Sequence, residues 1–280
     1  MDDGARRAGS IFVVGAGRAG RSLAAALDAA GAPVLGVHGR ARPFPAALAA
    51  ADVVLVATPD AAVGGVLREL AAAPVAPDAV VLQLSGARAP DDADEALRAR
   101  VRGVGTFHPL VPLADPGLGE ERLRGAWVGV GGDAAAVAAG ERLARDVGAH
   151  TLRVPADADA RVRYHAAAVF ASNFPVVLAA TAERLFAAAG VEADGARGAV
   201  RHLLASAAAN VAAAPDPASA LTGPLARGDA PTVARHLAAL AGDVDADALY
   251  RALARATVDV ARASDASHRA ALDRIATLLA

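Results

Sequence analysis

The chain has 280 residues, enough for one large domain or two moderate ones, each able to bury its own core. A formal net charge of −2 and the lack of an extended basic run argue against nucleic acid or an anionic membrane as the main partner and favour small molecules. Cysteine is absent, and every basic side chain other than histidine is arginine. Disulfide scaffolds, thiolate nucleophiles and lysine acids, bases or Schiff-base formers are therefore excluded. Abundant alanine, arginine and glycine are also what a GC-rich genome produces.

The N-terminal residues MDDGARRAGS contain no apolar h-region, and the first hydrophobic run, Ile11–Gly15, is too short for a signal peptide or a membrane span. A cytoplasmic, membrane-free protein is the expectation. Ser10–Gly20, SIFVVGAGRAG, is an apolar run leading into a G-x-G-x-x-G turn. RSLAAALDAAG follows with helical spacing and a glycine stop at Gly31. In a strand–turn–helix frame Gly15 permits the tight turn, Gly17 lets the backbone approach a pyrophosphate, and Gly20 allows close packing of helix on strand. The phosphates would lie at the helix N-terminus, against the backbone of Ala16, Arg18 and Ala19.

A second apolar run, Pro33–Val37, ends in His38–Gly39–Arg40–Ala41–Arg42. NAD-binding turns place an acidic residue here for the ribose hydroxyls, and this one has none. Arg40 and Arg42 suit a 2′-phosphate, so NADP is the expected cofactor. The other reading is that they are ordinary loop charges.

Asp52–Asp60, DVVLVATPD, reads as a buried strand ending in a Thr58–Pro59 turn, and a helix over 60–73 follows. AVVLQLSG over Ala79–Gly86 repeats the pattern. An acidic-to-basic helix near 91–100 precedes GVGTFHPL, Gly103–Leu110. Trp127–Val130 and Thr151–Val154 read as strands around a helix over 133–147. This alternation predicts an α/β fold, a Rossmann-type doubly wound sheet that is parallel at least through its first strands.

Thr58, Ser85 and His108 fall at carboxyl ends of strands, the edge where such sheets bind ligands. Thr58 and Ser85 serve equally as turn caps. His108, in a loop before a proline, is either a functional group or a hydrogen-bond partner of the loop backbone.

From Ala158 onward helical spacing predominates, with helices over 158–189, 192–214, 230–241, 245–263 and 265–279, interrupted by the loop Pro215–Asp229. Domains over 1–155 and 156–280 follow, the second all-helical and able to bind substrate or form a homodimer. Within YHAAAVFASNFP, Tyr164–Pro175, the residues His165 and Ser172 lie about 20° apart around the axis and roughly 10 Å along it. His165 is a proton donor or acceptor candidate by its near-neutral pKa, or a satisfied core histidine. Ser172 and Asn173 either bond a substrate carbonyl or carboxylate, or adjust the helix around Pro175. Thr222 and Arg227 stand in LTGPLARGD, where Arg227 either clamps a carboxylate or belongs to a well-built interhelical turn capped by Asp229.

Seven scattered histidines without H-x-x-H or H-x-x-x-H spacing make zinc improbable. No G-x-S-x-G elbow and no Gly-Lys-Ser/Thr ending exist. Hydride transfer remains, in which a cofactor carries the difficult step and the protein orients the substrate and supplies a proton.

Together GAGRAG, ATPD, LSGA, TFHPL, YHAAAVFASNF and LTGPLARGD resemble the Rossmann-like proteins whose C-terminal half is domain of unknown function 2520. The resemblance covers nearly the whole chain. It extends to a wider group including ketopantoate reductase, pyrroline-5-carboxylate reductase and prephenate dehydrogenase, in which a Rossmann domain precedes a helical domain that often dimerises. His165, Ser172, Asn173 and Pro175 are similar to the H-D-x5-S-H-x-P helix of prephenate dehydrogenases, and TFHPL to their G-x-H-P loop. That likeness implies a catalytic His165, while Ala166 and Asn173 replace an aspartate and a second histidine. Likeness to ketopantoate reductase implies a reaction in pantothenate biosynthesis, with Thr222 in that family's substrate loop. That enzyme's lysine is missing, so His165, or a water held by His108, would take its protonating role. The expectation is an NADP-dependent oxidoreductase reducing a small 2-keto acid, first of all ketopantoate. Dehydrogenation of prephenate or arogenate, and a non-catalytic NADP-binding sensor or scaffold, are the alternatives.

Overall fold

The computed structural model describes residues 9–40, 43–89, 95–113, 115–264 and 269–280. Arg42 and the first residues of the acidic-to-basic segment, 91–94, lie outside the described residues. The chain forms two compact units, Met1–Phe174 and Pro175–Ala280.

The first unit is built on a seven-stranded sheet: β1 (Ile11–Val14), β2 (Val34–His38), β3 (Val53–Val56), β4 (Val80–Gln83), β5 (Gly103–Pro109), β6 (Trp127–Gly132) and β7 (His150–Arg153). Their spatial order is β2-β1-β3-β4-β5-β6-β7. The first five strands pair parallel, β6 runs antiparallel to β5, and β7 is parallel to β6. The expected doubly wound sheet is thus present, and the reversal falls beyond its first five strands.

β1, β3 and β4 are uninterrupted runs of apolar or buried residues because the sheet is covered on both faces. Alternate side chains divide between two cores. One holds Ile11, Val13, Leu55, Leu82 and Phe107 under α1 (Arg18–Ala29) and α5 (Ala134–Asp146). The other holds Phe12, Val14, Val54, Val56, Val81 and Val104 with α2 (Asp60–Ala72), the described helix α3 (Glu95–Arg98) and a 3-10 turn over Ala46–Ala50. A short α4 (Gly119–Leu123), not evident from sequence, lies between β5 and β6.

On that second face α6 (Ala158–Ser172) also meets the sheet. Asp157 caps it by accepting from Ala160 N at 2.7 Å. The helix expected over 158–189 is broken at Asn173 and resumes as α7 (Phe174–Ala188). Pro175 accounts for the break, since it lacks an N–H and crowds the preceding turn. By length and composition Ala158–Ala188 would suffice to cross a membrane. Its first half is engaged otherwise: Arg161 is fully buried and donates to Thr106 Oγ1 in β5 at 2.8 Å. The division at Phe174 therefore leaves α6 with the sheet, whereas the sequence places a boundary at 155/156.

The second unit contains α7, α8 (Ala193–Ala213), α9 (Gly223–Ala226), α10 (Ala230–Leu240), α11 (Val244–Ser264) and α12 (Arg269–Leu279). The segment expected to be one loop, 215–229, includes a 3-10 turn over Pro217–Ala220 as well as α9. Val233, Leu237, Ala254, Val258, Leu272 and Ile275 form the core, contributed by α10, α11 and α12. Of the described helices, α7, α8 and α9 contribute no buried residue to it. α7 has no buried residue, and α8 buries only Ala196 and Val200.

Ile275→Ala removes a fully buried side chain from that core and is expected to lower stability by about 2–5 kcal/mol in urea titrations. Val244→Ala, at a position 79% exposed, is expected to stay within about 0.5 kcal/mol of wild type.

Candidate functional site

β1 and β3 are neighbours, but the chain leaves β1 towards β2 on one side while β3 leads to β4 on the other. This is the switch point at which doubly wound sheets open a crevice at their carboxyl ends. GAGRAG follows β1 and ATPD follows β3, so both expected cofactor segments meet here. Gly15 has a φ of 128°, and a Cβ there would collide with the Ala57 carbonyl. A Cβ on Gly20 would strike Gly15 O and stand 3.1 Å from Ala57 Cβ. Gly17 differs: no atom lies within 4 Å of where its Cβ would be. Packing explains two of the glycines and leaves the third open on the side from which a ligand would approach.

Other features of this corner suit a pyrophosphate. Gly17 is the N-cap of α1 without a side-chain cap bond, and the first turn carries no acid. Its N–H groups and dipole favour an anion. Arg21 Nε donates to Ala16 O at 2.8 Å and fastens the turn from the helix side. Thr58 Oγ1 is buried and has no hydrogen-bond partner among the described residues. A buried hydroxyl in that state costs about 1–3 kcal/mol, which a ligand oxygen or amide would relieve. Arg18 and Arg40 are exposed. His38, at the end of β2, is buried beside Phe44 with ring centroids 4.9 Å apart. These residues fit a dinucleotide phosphate.

Ser85 takes the turn role that its position allowed. Its Oγ accepts from Arg88 N at 3.1 Å, and Arg88 Nε in turn donates to Asp60 O at 2.7 Å. The loop after β4 is thereby tied to the start of α2.

A polar stripe begins where the second core ends. Val81 pairs with Val104, and two residues further along the same face Gln83 pairs with Thr106. Gln83 Nε2 donates to Thr106 Oγ1 at 3.0 Å, and Arg161 NH2 donates to the same oxygen at 2.8 Å. His108 follows two residues later on this face. It belongs to β5, where it pairs with Gly129, and not to a loop as expected, because β6 extends the ladder past it.

His108 and His165 are brought together, with ring centroids 5.8 Å apart. Gly86 makes this possible: a Cβ there would lie 2.7 Å from His108 Nδ1 and 2.9 Å from His165 Nδ1. His165 Nδ1 is buried and has no partner among the described residues. His108 Nδ1 is 2.9 Å from the Tyr164 hydroxyl. Burial, and then the neighbouring His165, push the His108 pKa down to about 4, with Asp60 opposing and Arg161 reinforcing the shift. Burial pushes the Tyr164 hydroxyl up to about 12.

Tyr164, Arg161 and Gly86 were not singled out by sequence. The spacing of Arg161 and Tyr164, three apart on a helix and followed directly by His165, was the available signal.

Ser172 Oγ donates to the Ala168 carbonyl at 2.7 Å and lies 2.9 Å from Asn173 Oδ1, so both side chains serve the helix break. Thr222 and Arg227 are exposed residues of the helical unit, flanking α9 as N-cap and C-cap. Asp229 caps α10 by accepting from Thr232 N at 3.1 Å. Among the described residues no cluster of three His, Asp or Glu side chains is placed to hold a metal.

The depressed His108 pKa has a definite sign. Unfolded, the ring binds a proton near pH 6.5; folded, only near 4. The stability from this group is complete above about pH 6.5 and is lost as pH falls towards 4, on the order of 3 kcal/mol. Urea midpoints measured from pH 7 to pH 4 should therefore fall more steeply for wild type than for His108→Gln.

Residues 126–257 match the family model described as Domain of unknown function (DUF2520). The match starts one residue before β6 and extends into α11. No match was found among the curated proteins. Among solved structures, a provisionally assigned NADP oxidoreductase of Bacteroides fragilis is similar at 22% identity and a TM-score of 0.69, over 89% of this chain and 97% of that one. A Thermotoga maritima protein shares 21% identity and a TM-score of 0.68, over 91% and 99%. Pyrroline carboxylate reductase of Plasmodium falciparum, solved with NADP bound, gives 11% and 0.61 over 97% and 98%. These likenesses concern the fold along nearly the full length of each chain. The chain thus shares its fold with these structures, and residues 126–257 match the family model described as Domain of unknown function (DUF2520).

Proposed function

We propose that the chain is an NADP-dependent oxidoreductase that reduces a small 2-keto acid, with ketopantoate the leading substrate. The observation that carries this reading is the shared carboxyl edge. It holds a phosphate-type glycine turn, a Thr58 hydroxyl and two close histidines, the hydroxyl and one ring nitrogen being without a hydrogen-bond partner among the described residues. Support for NADP comes from Arg40 in place of an acidic residue after β2, and from the NADP-bound state of the Plasmodium reductase.

NADPH, when bound, supplies a hydride to the carbonyl carbon of the substrate. His165 gives a proton to the carbonyl oxygen, which becomes the hydroxyl, and takes a replacement from water. The keto acid is reduced to a 2-hydroxy acid and the cofactor is oxidised, so electrons and protons balance.

The reading includes a homodimer. α7 exposes Val176 at 68% and Val177 at 54%, and α8 exposes Leu203 at 59%. Apolar side chains presented along two helices of one unit are what a second copy of the chain would cover. Light scattering should give twice the mass of one chain, and Val176→Asp should shift the population to monomer. A monomeric wild type at micromolar concentration removes this part of the reading.

The activity is tested by adding NADPH and ketopantoate to the purified protein and following cofactor absorbance, with 2-ketoisovalerate as a comparator and prephenate with NADP for the reverse direction. Oxidation is expected with ketopantoate. His165→Asn should lower kcat by about 10²–10⁴-fold while cofactor binding is retained. Equal turnover by that variant sinks the role of His165. Tight NADPH binding without turnover on any keto acid leaves a sensor.

A further inference from the structure

The two histidines are set differently although they adjoin. His108 stands opposite Gly129 in the β5–β6 ladder, and the Tyr164 hydroxyl occupies the space that a Cβ on Gly129 would fill. From there it reaches His108 Nδ1 at 2.9 Å, with the two rings edge to face at 73°. The next residue, His165, has no such tether on its own Nδ1 among the described residues.

A bond between a phenol and an imidazole nitrogen has two possible directions, and the nitrogen that accepts leaves the proton on the other one. Charge decides between them here. Arg161 lies one helical turn before Tyr164, fully buried, held by Thr106 Oγ1 and Pro155 O. Its cation acts on both Tyr164 and His108. A cation favours a phenol proton directed away from it, and His108 Nδ1, 2.9 Å off, is an acceptor within that proton's reach. The same cation, together with His165, opposes protonation of His108, and Asp60 acts against them.

We propose that Tyr164 is a positioning residue: its hydroxyl donates to His108 Nδ1, locks that ring as the Nε2–H tautomer, and leaves proton exchange to His165. The pair is then divided between a fixed hydrogen-bond donor and a proton carrier. This deepens, and rests on, the keto-acid reductase reading, in which His165 protonates the reacting carbonyl with the His108 ring adjoining it. Burial keeps His108 neutral throughout the physiological range, so its Nε2–H stays available while His165 cycles.

The test is ring ¹⁵N NMR on histidine-labelled full-length protein near pH 7, with His108 assigned by its loss in His108→Gln. Seven histidines make the spectrum tractable. Expected is a protonated Nε2 and an unprotonated, hydrogen-bonded Nδ1 on His108. In Tyr164→Phe the ring should become a mixture of tautomers, with kcat reduced roughly tenfold and KM little changed. A wild-type His108 protonated on Nδ1 overturns the proposal even if the variant fails to fold, and so does an unchanged tautomer in Tyr164→Phe. The spectra need no substrate, so absent turnover counts against the reductase reading alone.

Discussion

The candidate site depends on an approach of α6 to the sheet that Gly129 permits. Across from His108, β6 presents Gly129, and the space its missing Cβ leaves is taken by the Tyr164 hydroxyl, while Arg161 sits one helical turn away on the same face. A buried guanidinium carries a desolvation cost of several kcal/mol, and its bonds to Thr106 Oγ1 and Pro155 O offset part of it. Such an ion is an expensive way to hold a helix and a specific one. Leucine at its place would tolerate small rotations of α6, whereas a guanidinium aimed at one hydroxyl does not. Since His165 follows within a turn, its position is inherited from that bond.

Polarity along one sheet face then separates structure from chemistry. Val81 and Val104 close the core; Gln83 and Thr106 form a hydrogen-bonded step; Ser85 and His108 reach the carboxyl edge. Gln83 and Thr106, short of the edge, are hydrogen-bonded within the protein. At the edge, Thr58 Oγ1 and His165 Nδ1 are buried without a hydrogen-bond partner among the described residues. Buried polar groups left unsatisfied are costly, and the two at the mouth of the sheet, beside a glycine turn open to an anion, are ones that a ligand there would satisfy.

Much of this was legible in the sequence, for physical reasons. Strands buried on both faces must be apolar throughout, so IFVV, VVLV and VVLQ announced the parallel sheet, and the turn glycines announced its crevice. The convergence of His108 with His165 was foreshadowed only as two separate candidates. Their contact runs through Gly86, and nothing in one chain of letters tells which glycine admits a neighbouring ring. The reversal of β6 is likewise set by pairing with β5 at long range. Asn173 illustrates the opposite case: Pro175 was visible, and its effect on the helix is local, so the break could be anticipated even though a continuous helix was expected.

Gly17 has a meaning of its own. Glycines at 15 and 20 are demanded by neighbouring backbone, so replacing them disturbs the fold before any ligand arrives. At 17 the protein itself makes no such demand. Folding and recognition are therefore uncoupled at a single Cα: the first helix can form, cap and pack around any small residue there. Loss of ligand at that position would leave an intact protein behind, and so the turn contains its own separation of architecture from use.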